Sequence, residues 1–94
     1  MTSRWTVIWK RSLVERKVAE FVAEAIEKGY AVAEITNAMD QIDRVLSLNP
    51  ASAGESRSGS DRVLIQKPLV ITFEIHEDEH VVLVFGARYV PDKC

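Results

Sequence analysis

From Val14 the apolar side chains of this 94-residue chain recur at helical spacing as far as Leu46 and at strand spacing from Arg62 onward, and the two regimes meet at Asn49-Pro50. A period near 3.6 buries one stripe of a helix, whereas a period of two buries one face of a strand. The single change of period therefore predicts a helical half followed by a sheet-forming half, an α+β chain. It falls at Asn49 because the residue before a proline is pushed out of the α region. Val14, Val18, Phe21, Val22, Ala25 and Ile26 form a first helical stripe, with Glu20, Glu24, Glu27 and Lys28 opposite. Ser12 and Glu15 read as a capping box at its start, and Gly29 as its stop. Ile35, Met39, Ile42, Val45 and Leu46 form a second stripe, and the short joint at 29–31 predicts an antiparallel helix hairpin.

Ahead of the helices, residues 4–9 are rich in β-branched and aromatic side chains and read as a strand, with Trp5, Val7 and Trp9 on one face. Residues 49–60 are small and polar and read as a loop. Three strands follow, at 62–66, 69–76 and 81–90, with Pro68 dividing the first two. The last is apolar on both sides: Val81, Leu83 and Phe85 on one, Val82 and Val84 on the other. Such a strand is expected in the middle of a sheet and covered twice. Two helices cover one face only. The face carrying Val70, Val82 and Val84 is accordingly expected to bind protein, either a partner segment or a second copy of the chain. The predicted order is β-α-α-β-β-β, a single domain over 1–94 with the helix hairpin on one face of a mainly antiparallel sheet.

Composition supports a folded chain, with 47% hydrophobic and 28% charged residues. A chain of this length buries roughly 60–65% of its unfolded surface. The one cysteine, Cys94, excludes an internal disulfide and fits a reducing compartment. No apolar run approaches the ~20 residues of a membrane span, and Met-Thr-Ser-Arg-Trp lacks the layout of a signal peptide, so a cytoplasmic protein without a membrane partner is expected. Net charge is −2. Residues 1–29 carry six basic and four acidic side chains, and the stretch from 69 onward is acidic. No long basic block of the kind phosphate backbones attract is present, although folding can still assemble a local patch.

His76-Glu77-Asp78-Glu79-His80 spells the zinc-protease string H-E-x-x-H. That chemistry needs a helix, where residues four apart share a face, whereas here the string lies between two β-patterned runs. It reads as an acidic hairpin turn, with no metal expected. On that reading, replacing both histidines by alanine leaves the melting temperature nearly unchanged. Arg57, Arg62 and Lys67 gather around the loop and the following strand and are candidates for contact with phosphate or an acidic partner. Arg88 and Tyr89 pair a cation with a phenol, but neighbours on a strand point to opposite faces unless a bulge intervenes. No cofactor motif, glycine-rich phosphate loop or serine–histidine–acid set is found.

Several local strings resemble the RelE/ParE toxin superfamily. They are the run from the first strand into the helix through Trp9-Lys10-Arg11-Ser12, Leu48-Asn49-Pro50 and Gly54-Glu55-Ser56-Arg57 after the second helix, and the strands Arg62-Val63-Leu64-Ile65, Pro68 to Ile75 and Val81-Val82-Leu83-Val84. The resemblance spans nearly the whole chain and implies a toxin neutralised by an antitoxin that wraps across it. It implies either inhibition of DNA gyrase or ribosome-dependent mRNA cleavage. Ribonuclease members of that superfamily are similar in using lysines and arginines on the middle strands, with an arginine and a tyrosine or histidine near the C-terminus. Here the middle-strand positions hold Val63, Ile65 and Val70, leaving Arg62, Arg88 and Tyr89 as the catalytic candidates. The expectation is a toxin acting by protein–protein contact, with a reduced mRNA endonuclease or an orphan binding module as alternatives.

Overall fold

The computed structural model describes residues 4–56 and 61–91; Arg57 and Cys94 lie outside them. Strand β1 (Thr6–Trp9) leads into a π-helical turn (Leu13–Val18) that runs on as α1 (Ala19–Lys28). Helix α2 (Val32–Leu48), a 3-10 turn (Pro50–Ser52), β2 (Glu55–Ser56), β3 (Asp61–Gln66), β4 (Leu69–His76) and β5 (Val81–Tyr89) complete the chain. Among the described residues the sheet has five strands in the order β1-β5-β4-β3-β2. Only the β1–β5 pair is parallel, because the whole helix hairpin separates β1 from the other strands.

Both helices lie on one face. α1 ends at Gly29, which adopts φ 76° and lets Tyr30 N–H donate to the Ala25 carbonyl at 2.8 Å. α2 buries Ile35, Ala38, Ile42 and Leu46, close to the predicted stripe. The first stripe is phased differently. Leu13 is buried while Val14 is exposed, and Ile26 faces solvent at 67% exposure. The π-helical turn accounts for the exchange of Leu13 for Val14: i→i+5 bonding brings Leu13 over Val18, a spacing that an α-helix would offset. The expected capping box is absent as well. Ser12 has helical φ and ψ and makes no capping hydrogen bond, because the backbone is already wound there.

Beneath the helices, Leu69, Ile71, Phe73, Val82 and Val84 are 0–1% exposed. Trp5, Val7 and Trp9 extend this layer under α2. Trp9 Nε1 donates to Asp43 Oδ1 at 2.6 Å and Trp5 N–H to the Ser47 carbonyl at 2.8 Å, so the outer edge of β1 is tied to the helix. Gly54 is the most tightly packed of the described glycines: a Cβ there would lie 2.5 Å from the Val63 carbonyl oxygen, which no side chain tolerates.

The H-E-x-x-H string is a turn. His76 ends β4, and His80 adopts φ 58° with its ring stacked on Trp5 at 4.0 Å and 16°. This corrects the expectation that both histidines are dispensable, since His80 joins the hairpin to β1. A stacked pair contributes about 0.5–1.5 kcal/mol beyond its buried area. His80→Ala is expected to lower the melting temperature by about 4–8 °C, the response of a small domain to roughly 1 kcal/mol. His76→Ala is expected to change it far less. Equal, small shifts for the two variants in a thermal scan would contradict the stacking role.

Candidate interaction face

The register of the sheet decides what its uncovered face presents. Val84 pairs with Phe73 and Gly86 with Thr72, so Phe85 is an extra residue, a β-bulge. One extra residue reverses the sidedness of everything beyond it. Val82 and Val84 point to the helices before the bulge; Ala87 and Tyr89 do so after it. Arg88 is thereby turned outward, to the uncovered face and the side opposite Tyr89.

Val70, Val82 and Val84 consequently do not share a surface. Val82 and Val84 are fully buried in the helix-covered core, whereas Val70, paired with Arg88, lies on the open face. An uncovered apolar band nevertheless exists. It comprises Ile8, Val63, Ile65, Val70, Val81 and Leu83, with Ile65 65% and Ile8 45% exposed. Sequence reasoning recognised that one face lacked cover but mistook the parity of β5 relative to β4.

One end of this band is acidic. Asp61 and Glu74 are directly opposite each other on β3 and β4, and Glu77, Asp78 and Glu79 follow in the turn. His76 Nε2 lies 3.3 Å from Glu74 Oε1 on the same face. Sequence reading overlooked this pair, although the i,i+2 spacing on a strand places both side chains on one side. Arg88 stands at the other end, beside Val70, four residues along β4 from Glu74 and hence about 13 Å away. Among the described residues no group of three histidine, cysteine, aspartate or glutamate side chains is placed to hold a metal.

The remaining candidates are not on this face. Arg62 pairs with Phe73 and so projects to the helix side, where its guanidinium donates to the carbonyls of Ala51 at 3.0 Å and Gly54 at 3.4 Å. It fastens the loop between α2 and β3. Tyr89 stacks on Phe21 with ring centroids 5.7 Å apart. Partial desolvation, then the charges of Glu24 and Glu34, raise its phenol above the ordinary value of 10.0, so it stays protonated at neutral pH. Lys67 is exposed in the β3–β4 turn, at the rim of a small cleft shared with Glu34, Asn37 and Gln41 of α2.

No protein-family profile matches the chain, and no curated protein matches it in sequence. Among solved structures it is similar to a chain of the toxin–antitoxin complex RelBE2 from Mycobacterium tuberculosis, with a TM-score of 0.72 at 12% identity, over 98% of each chain. At that identity the two share a fold. The architecture is RelE-like α+β, a helix hairpin on one face of a mixed sheet. No helix among the described residues is long and apolar enough to cross a membrane.

The placement of Arg62 generates a prediction. Arg62→Ala removes a charged donor from two backbone carbonyls and is expected to cost about 1–3 kcal/mol in chemical denaturation. Both bonds leave the same Nη1, so Arg62→Lys recovers part of the loss, limited by the shorter reach and stronger hydration of the ammonium. Full stability in Arg62→Ala would show that the residue is free for another task.

Proposed function

We propose that this chain is the toxin component of a toxin–antitoxin pair and that it acts by protein–protein contact through the open sheet face. Gyrase inhibition, or contact with a comparable protein target, is the mode this reading favours. The observation that carries it is the face itself: an apolar band, acidic at one end, with Arg88 at the other. An apolar centre with charged margins is the anatomy of a protein interface. The fold shared with a chain of a toxin–antitoxin complex supports an antitoxin partner, and the open face is where we place it.

The Glu74–His76 pair favours a second reading, ribosome-dependent mRNA cleavage, because a carboxylate and an imidazole are a general base and acid. Two features weigh against it. Asp61 opposite Glu74 repels a phosphodiester, and Arg88 stands too far off to stabilise charge developing at the pair. Groups that act as a unit lose most of their effect when one is missing.

Expression in a bacterial host, with mapping of mRNA 5′ ends, tests both readings. The expected result is growth arrest without codon-positioned cuts. Ile65→Glu is expected to relieve the arrest while changing stability by no more than about 0.5 kcal/mol, as for other exposed sites. Codon-positioned cuts that vanish in Glu74→Gln, His76→Ala or Arg88→Ala establish the nuclease instead. Absence of any arrest overturns the toxin reading and leaves a protein-binding module.

A further inference from the structure

Residues 10–17, Lys-Arg-Ser-Leu-Val-Glu-Arg-Lys, hold four cations and one carboxylate in a chain whose net charge is −2. The fold gathers them where β1 gives way to the helix. Lys10, Ser12, Leu13, Arg16 and Lys17 line a cleft of about 250 Å³ together with Phe85, the bulge residue of β5. Arg11 is engaged by Glu15 at 3.2 Å, but both side chains are largely exposed and the pair is weak. Among the described residues Lys10, Arg16 and Lys17 make no ion pair. Ser12 contributes a hydroxyl uncommitted to capping.

Two features of the backbone create this arrangement. The wide winding at Leu13–Val18 places Arg16 and Lys17 about one turn on from Ser12 and to either side of it, so hydroxyl, guanidinium and ammonium line one cleft. β1 stops at Trp9, and the last bond to its partner is Lys10 N–H to the Val84 carbonyl at 2.8 Å. The next residue of β5 is Phe85, whose half-buried ring therefore stands among the cations. The acidic hairpin turn is on the order of 10 Å back along β5, beyond a Debye length of ~8 Å at physiological ionic strength.

From this we infer that the Lys10–Arg16–Lys17 cleft is a contact site for single-stranded nucleic acid, the cations meeting phosphates and Phe85 meeting an unstacked base. Phosphates alone account for the charge. The aromatic ring selects a single strand, since a duplex keeps its base faces occupied. An acidic protein segment would satisfy the cations but leave the ring without a π partner. The site is on a different surface from the open sheet face, and it stands or falls independently of the toxin reading.

Fluorescence anisotropy of the full chain with a labelled U20 oligoribonucleotide tests the inference; dT20, a duplex of equal length and a labelled glutamate 20-mer are the comparisons. Wild type is expected to bind U20 and dT20 in a salt-dependent manner, and the duplex and the glutamate peptide more weakly. Each phosphate contact with a single strand contributes about −0.7 to the slope of log K against log salt. Lys10→Gln/Arg16→Gln/Lys17→Gln should reduce the steepness of that slope by about 2 and weaken binding at low salt by about tenfold or more. These side chains are at the surface; if the triple variant fails to fold, Arg16→Gln/Lys17→Gln carries the same test with about two-thirds of the effect. Phe85→Leu keeps apolar bulk and is expected to weaken U20 about fivefold or more without altering the slope. No binding of U20 at low salt, or a slope unchanged in the charge variants, overturns the inference. Glutamate peptide bound as tightly as U20 overturns it in favour of an acidic protein partner.

Discussion

The position of β5 between a parallel and an antiparallel neighbour is the constraint on which the rest of the structure depends. β5 pairs with β1 over Thr6–Val81 to Trp9–Val84 and with β4 along its whole length. Its inward residues Val82 and Val84 are fully buried. Its outward residues Val81 and Leu83 have no helix above them, so burying one side of this strand leaves apolar surface on the other. The uncovered face follows from the topology: two helices joined by a short turn can cover one face, and no further element exists among the described residues to cover the second.

The bulge at Phe85 adds a second level of control. Without it, Arg88 would point into the helix layer and Tyr89 outward. With it, a guanidinium that would be costly to bury reaches solvent, and the phenol stacks on Phe21. The same extra residue brings Phe85 beside Lys10 and the π-helical turn. Thus a single irregularity in β5 determines the chemistry of two surfaces, the open sheet face and the basic cleft.

How much was legible in the sequence depended on whether a feature is local. The α2 stripe, the stop at Gly29, the break at Asn49-Pro50 and the hairpin turn at 77–80 are written in neighbouring residues, and they appear where periodicity and turn chemistry put them. Register is not local. Val70 and Val84 look equivalent in a pattern of alternation, yet only the pairing of β4 with β5 reveals that they face opposite ways. The π-helical turn is similarly hidden, since Val14 and Leu13 are both apolar and only winding decides which is buried. Arg62 looked like a free cation because its partners are backbone carbonyls, which no side-chain pattern announces. The Glu74–His76 pair was available from strand spacing alone and was masked by attention to the H-E-x-x-H string.

The parallel pairing of β1 also sets the order in which the chain can become whole. Thr6 meets Val81, so the first strand has no sheet partner until almost the last of the sequence is in place. Joining ends that far apart costs about 4 kcal/mol in loop entropy by the (3/2)RT ln n scaling, far more than the two-residue turn between β3 and β4 demands. The helix hairpin and the β3–β4 hairpin can each form from near neighbours, whereas β1 is recruited from a distance by a strand made last. Contacts of such long range slow folding. Until they form, Trp5, Val7 and Trp9 have only α2 to shelter against. A chain cut short before Val81 would lose the strand that joins β1 to the rest of the sheet, and with it the buried Val82 and Val84 on which the helix layer packs.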